Sequence, residues 1–459
     1  MTRSANLRTA ARYTAGGAIA VVALVVVGGG VALGWMPRTA PAPSVSVAPV
    51  AADAVLTCPG PLLALARDGH SASGISVASG EDVTAGGALR RDVLATTGVP
   101  GESGPTRLEA AATGRTVPAA AGAASATVTA EDLAGFAAAA CTPALMESWL
   151  VGGSTSTGAA DLVLLANPGK VTATVDLTFY GVDGPRHPGA GSRIIVAPGT
   201  QQVLPLAGLG FGDEAPILRV TATGAPVRAA LQSSIVRGLT PGGVDQEGAI
   251  AAAATTQVIP GVRVTAPTPD APAVVRLLAP TGATTATVTV LGARGAVGSA
   301  MTVPLKAGAP VEASLPALAP GSYTVVVTAD QPVVAAVWQT TGTGAGDDFA
   351  WIPAAPQLAP AVDGSLFAVP AGPSPALVVT PAGKDAVAVS IAPADGGTAT
   401  TVSAAAGRAT VVPLAAGRAY RIALDGAAYA AVTFAGDGAL ASYPVWPQDA
   451  ASASVVVYP

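Results

Sequence analysis

The sequence predicts a mainly β protein, a tandem of immunoglobulin-like β-sandwich domains after a single N-terminal transmembrane helix. Three observations carry this. Alternating Val/Ala and Thr positions recur three times at domain-sized spacing, 55 Gly and 40 Pro keep elements short, and one apolar run stands near the N-terminus.

The apolar run, residues 15–34, is AGGAIAVVALVVVGGGVALG. Its 20 residues carry no charge, and a helix rising about 1.5 Å per residue would span a hydrocarbon core of roughly 30 Å. Arg3, Arg8 and Arg12 precede it with no acid among them, while only Arg38 follows closely. The excess of positive charge keeps residues 1–14 cytoplasmic and exports the rest, giving a single-pass protein of the cell membrane in contact with the bilayer. A cleaved secretory signal is the rival reading. The run is longer than a usual signal core, and Gly34-Trp35-Met36-Pro37-Arg38 holds no Ala-x-Ala site. Residues 35–52, rich in Pro, Ala and Ser, read as an extended spacer.

Half of the 459 residues are hydrophobic, enough for two to four cores, yet only 4% are aromatic. A net charge of -5, with no basic block, argues against nucleic acid as a partner. Cys58 and Cys141 are the two cysteines and both fall on the exported side. An oxidising compartment makes them a disulfide. A loop of roughly 83 residues would stabilise by about 4 to 5 kcal/mol as an upper figure. No Cys-x-x-Cys suggests redox chemistry.

Residues 53–158 form the first exported domain. VLTCPGPLLAL, from Val55, reads as a strand closed by Pro59-Gly60-Pro61, and 68–126 shows no lasting periodicity that would place strands. A short helix is expected over 131–140, with Thr129 or Ala130 near its start, and a strand over 146–151.

The repeats occupy 159–250, 270–350 and 374–450. Each opens on an alternating strand: Val171, Ala173, Val175, Leu177 and Phe179 in the first copy, Ala286, Val288 and Val290 in the second, Val387, Val389 and Ile391 in the third. Each continues with a glycine turn before a strand that stops at or beside proline, in 194–206, 302–318 and 403–414. Each closes on what reads as a hairpin, in 218–234, 323–341 and 420–436, with Gly224, Asp330-Gln331 and Asp425-Gly426 near the turns. Taking Gly169, Gly282 and Gly383 as equivalent, the copies start 113 and 101 residues apart. Such spacing suits whole domains rather than propeller blades or solenoid turns. A strand-rich unit of this size cannot bury one sheet face alone, so two facing sheets are expected in each. The Pro/Gly stretches 238–272 and 342–373 read as connectors between autonomous units.

Chemistry is sparse. His70 and His187 both stand in turn-like surroundings without a nucleophile elbow, and no His-Glu-x-x-His is present. No catalytic, cofactor-binding or metal-ligating residue is assigned, and no cofactor is expected. The acid pairs Asp213-Glu214 and Asp347-Asp348 read as solvated loops, with a loop calcium site as the sharper alternative. Trp149, Trp338, Trp351 and Trp446 read as seals of cores or junctions, with sugar stacking as the alternative.

TCPGP (57–61) and the block 141–185, with Trp149, Gly152-Gly153, Asn167-Pro168-Gly169 and Tyr180-Gly181, resemble an actinobacterial family catalogued as a domain of unknown function, number 5719. The resemblance is firmest from Cys58 to Gln232 and faint in the third repeat, where Ala427-Ala428-Tyr429 stands in place of the Gly-x-Pro-Val seen at 224–227. It implies a secreted or membrane-anchored envelope protein and brings no catalytic residues. The expected function is therefore a membrane-anchored structural or interaction protein of the cell envelope that binds a cell-wall polymer or an envelope protein. An envelope enzyme acting on glycans, or an assembly or sensing factor, is the alternative.

Overall fold

In the computed structural model Val175, Val288 and Val389, the middle positions of the three alternating strands, are 0, 1 and 0% exposed. Ala173, Leu177 and Phe179 join Val175 inside, whereas Val171, just ahead of the strand Ala173–Gly181, is exposed. Period-two alternation thus gave the inward face in all three copies. The structure describes residues 3–32, 45–47, 51–65, 74–99, 104–267, 271–360, 364–448 and 455–457. His70 and most of the expected spacer 35–52 lie outside them.

The three repeats share one order of four strands in each of two layers, within two five-stranded sheets in the first copy, one eight-stranded sheet in the second and two four-stranded sheets in the third, and the first copy shows it. Glu147–Leu150, Ile217–Thr223 and Ala173–Gly181 pair in sequence, with Ile194–Val196 on the far edge of the last. Facing them, Thr240–Gly248, Arg228–Arg237, Leu162–Asn167 and Thr200–Pro205 make the second layer. Val175, Leu177 and Val220 from one layer meet Val163, Ala229 and Leu231 from the other in a single core. The third copy repeats this order with Ser365–Val369, Arg418–Leu424, Val387–Pro393 and Thr400–Ala404 against Ala439–Pro444, Ala428–Gly436, Ala376–Pro381 and Thr410–Pro413. The turn glycines Gly199, Gly308 and Gly407 sit at φ of 70°, 75° and 66°, a left-handed conformation that glycine adopts without steric cost.

Several expectations are corrected. The three closing segments are not hairpins. Ile217–Thr223 and Arg228–Arg237 belong to opposite layers and do not pair with each other, and the same holds for Arg418–Leu424 and Ala428–Gly436. In the second repeat one long strand, Gly321–Thr340, crosses over. Its first half pairs with Ala254–Val264 and Thr284–Gly292, its second half with Ala273–Leu278 and Phe349–Pro353. Alternation has the same period in a hairpin and in such an arch, so the sequence could not separate them.

The expected helix over 131–140 is instead the strand Ala134–Ala140, paired with Ala121–Thr129. Its alanines favour helix locally, but Phe136, Ala137, Ala138 and Ala139 are all buried, and packing on both faces overrides propensity. The stretches read as connectors also carry strands: Thr240–Gly248 and Ala254–Val264 in one, Phe349–Pro353 and Ser365–Val369 in the other.

These unexpected strands close the row of units into a ring. Residues 51–451 form one compact unit. The last strand of each part meets the next: Ala134–Ala140 packs on Thr240–Gly248, that on Phe349–Pro353, that on Ala439–Pro444, and the last returns to Ala134–Ala140. The cores merge accordingly. Trp149, Tyr180, Ile217 and Ile250 of the first repeat and Leu440 of the third join the core of the second, while Ala121, Ala123, Phe136 and Ala138 join that of the third.

The other unit holds the helix Arg3–Ala32 and a two-stranded antiparallel sheet, Val45–Val47 with Val455–Val457. The helix starts ahead of the apolar run and takes in Arg3, Arg8 and Arg12. Among the described residues no helix is long and apolar enough to cross a membrane.

Candidate functional site

Arg276 lies in the strand Ala273–Leu278, where alternation sends it out of its own core and into the joint with the first repeat. It is 2% exposed. A buried guanidinium is tolerable only when its five N–H groups find acceptors. Here they do. Nη1 donates to the carbonyls of Gly153 (2.7 Å) and Pro216 (2.9 Å), Nη2 to Glu214 O (3.2 Å) and Glu312 Oε1 (2.7 Å), and Nε to Glu312 Oε1 (2.9 Å). The guanidinium also stacks 4.3 Å from the ring centroid of Trp351. Burial pulls its pKa down, and the half-exposed Glu312 pulls it back up.

Three acids gather on the first-repeat side. Asp161 accepts the N–H of Ser154 at 2.6 Å and of Ser234 at 2.9 Å, and burial pushes it up to about 7. Asp245 accepts the N–H of Trp351 at 2.7 Å and is likewise pushed up to about 7 by burial. Glu247 is raised well above the usual carboxyl range, first by burial and then by the nearby Asp245 charge. Neither of its oxygens has a protein partner. Gly152 and Gly153 make room for this chemistry: a Cβ on Gly152 would lie 2.4 Å from Glu247 Oε1, and one on Gly153 2.7 Å from Asp161 Oδ2.

Between the two repeats a cavity of about 230 Å³ opens, lined by Asp161, Glu214, Ser233, Arg276, Glu312, Trp338 and Trp351, with Phe349 and Ile235 among the apolar walls. Trp338 and Trp351 stand opposite each other on paired strands, and the ring of Phe349 is 6.3 Å from that of Trp338. A second cavity of about 560 Å³ lies where all four parts converge, lined mainly by glycine, alanine and backbone, with Asp82, Asp347 and Asp437 at its walls.

Asp348 fastens that convergence. Its Oδ2 accepts the N–H of Phe136 (3.0 Å) and of Leu440 (3.1 Å), and its Oδ1 that of Val244 (3.1 Å). Burial raises its pKa well above the usual range, and the amide hydrogen bonds work against that rise. Gly135 and Gly243 leave the space, since a Cβ on either would sit 2.7 Å from Asp348 Oδ1.

The expected site residues distribute as follows. Cys58 and Cys141 form a disulfide. The TCPGP segment is held by glutamines: Gln201 donates to Pro59 O, Gln246 to Gly60 O, and Gln232 exchanges two hydrogen bonds with Leu63. His187 is exposed, 3.4 Å from the Thr178 hydroxyl. Asp213 and Asp348 are not solvated loop residues. Asp213 is 6% exposed, accepts the N–H of Val182 and pairs with Arg186. Among the described residues no group of three or more His, Cys, Asp or Glu is placed to hold a metal. Trp149 and Trp351 are buried in the joint, Trp338 packs against the same core, and Trp446 is half-buried beside the disulfide.

Asp161, Asp245, Glu247 and Arg276 were missed by sequence reasoning. The signal was present in Asp245-Gln246-Glu247 and Arg276, charges at alternating positions of β-patterned segments, but the flanking glycines made the acids look like loop.

The profile of a family described as a family of unknown function (DUF5719) matches residues 93–416. No curated protein matches the chain. A solved structure titled Biofilm associated protein - BSP domain aligns at 9% identity with a TM-score of 0.13, covering 80% of this chain and 67% of that one. A likeness of that size carries no argument.

Proposed function

The chain belongs to this family of unknown function, DUF5719, and from that premise we propose that it is a membrane-anchored, extracytoplasmic structural or interaction protein of a bacterial cell envelope. Residues 15–34 are its anchor and residues 1–14 its cytoplasmic tail, after the arginine flank. The sandwiches are immunoglobulin-like modules, and the surface they present engages a cell-wall polymer or an envelope protein.

The observation that carries this reading is where the buried charge goes. Asp348 joins three parts of the chain to its own, and Arg276 gives three of its five N–H groups across the joint, to the carbonyls of Gly153, Pro216 and Glu214, and the other two to Glu312 of its own repeat. Polar groups that build joints make a stiff body. An enzyme acting on glycans is favoured only by the tryptophans beside Asp161. Such chemistry asks for two carboxyls about 5 to 9.5 Å apart across an open cleft; of the acids that line the cavity, Asp161, Glu214 and Glu312, Asp161 is held by the N–H groups of Ser154 and Ser234 and Glu312 by Arg276.

Topology tests the proposal. Leu239 is 96% exposed at a hairpin tip, and the native cysteines are bonded, so a Leu239→Cys variant offers one reactive thiol. An impermeant maleimide should label it on intact cells, and detergent should be needed to extract the chain. Labelling only after lysis would overturn the orientation.

A further inference from the structure

The cavity between the first and second repeats has an uneven supply of hydrogen-bonding groups. Among the described residues Arg276 is the one cation on its wall, and all five of its N–H groups are already donated. Asp161, Glu214 and Glu312 also line it, three carboxyls against that one guanidinium; Asp161 already accepts one backbone N–H on each oxygen, from Ser154 and Ser234, and Glu312 accepts Arg276 on Oε1. Glu247, 3% exposed and with neither oxygen partnered, stands behind the Gly152-Gly153 wall. A ligand in this place must give hydrogen bonds and bring positive charge.

The apolar walls ask for the same thing. Trp338, Trp351 and Phe349 present rings whose faces attract cations. The joint already uses that attraction once, with Arg276 on Trp351. Trp338 is only half-buried and lines the cavity. Glu214 at the rim is exposed, so a cation meets an acid before it meets the rings.

We propose that this cavity binds a primary alkylammonium group, free or at the end of a longer ligand, between Trp338 and the carboxylates of Asp161, Glu214 and Glu312. An ammonium has three donors and no acceptor, which matches a wall with acceptors and π faces. Every sugar hydroxyl brings acceptor lone pairs as well as its one donor, and those acceptors would find the Arg276 donors taken. The inference goes beyond the anchored-scaffold reading and stands or falls separately from it.

Asp161 adds a pH signature. Burial holds its carboxyl at about 7, facing Arg276 from the second repeat, Glu247 from the strand Thr240–Gly248, and the Ser154, Ser233 and Ser234 groups of its own repeat. Glu214 and Glu312 share the cavity. A bound ammonium favours the carboxylate, so affinity should rise as pH goes from 6 to 8.

Calorimetric titration of the full-length chain with n-butylammonium chloride tests this, with glucose and sodium acetate as comparison ligands. Saturable binding of n-butylammonium alone is expected, at least fivefold weaker in Trp338→Leu and several-fold weaker in Glu214→Gln, which sits at the exposed rim and leaves the fold intact. No saturable ammonium binding, equal affinity in both variants, or tighter binding of glucose would each overturn the proposal. A failure here would leave the surface labelling of Leu239→Cys unchanged, so the two readings can fail independently.

Discussion

Asp348 Oδ2 accepts the backbone N–H of Leu440 at 3.1 Å, across 92 residues of sequence. Through this bond the strand after the second repeat reaches the last strand of the third, and the same carboxyl holds Phe136 and Val244. One side chain therefore closes the ring that four separate stretches of chain form.

Removing that acceptor should be costly. Asp348→Ala leaves the buried amides of Phe136, Val244 and Leu440 without it, and each unsatisfied group costs about 1 to 3 kcal/mol. A loss of more than about 3 kcal/mol in urea unfolding is expected, with parts unfolding together in the native protein and separately in the variant. A loss below about 1 kcal/mol would show that the hub does not hold the ring.

Stability should fall as pH rises from about 4 to about 7. Asp161 and Asp245 have folded pKa values of about 7 against an ordinary 3.8, so over that interval the folded state holds protons that the unfolded state has released. Their contribution is full below pH 4, declines through pH 7 and is flat above it. Three pKa units correspond to roughly 4 kcal/mol per group as an upper bound. Unfolding midpoints measured at pH 5 and pH 8 check the sign. Greater stability at pH 8 would mean that these acids are ionised in the folded protein.

Core and surface substitutions should separate cleanly. Val175 is fully buried between two sheets, and Val175→Asp should destabilise by several kcal/mol through burying a charge. His187 is exposed, and His187→Ala should stay within about 0.5 kcal/mol of the native protein. Thermal melts of the two variants decide this.

The sequence by itself determined the local facts. Alternation placed Val175, Val288 and Val389 inside, the glycines at 199, 308 and 407 marked turns, and the even cysteine count on one side of the apolar run paired Cys58 with Cys141. All of these depend on neighbours along the chain or on a count of residues. Only the tertiary structure decided that the closing segments arch between sheets, that 134–140 is a strand, and that the supposed connectors are the strands at the centre. The physical reason is that these outcomes depend on which distant surface covers a segment. Asp348 in a glycine-rich run has every local mark of a solvated loop, and it becomes a buried hub because the amides of Phe136, Val244 and Leu440 arrive from three other parts of the chain. Arg276 and Glu247 obey the same rule: a charge may enter a joint when partners or a proton neutralise it, and those partners are invisible until the repeats meet.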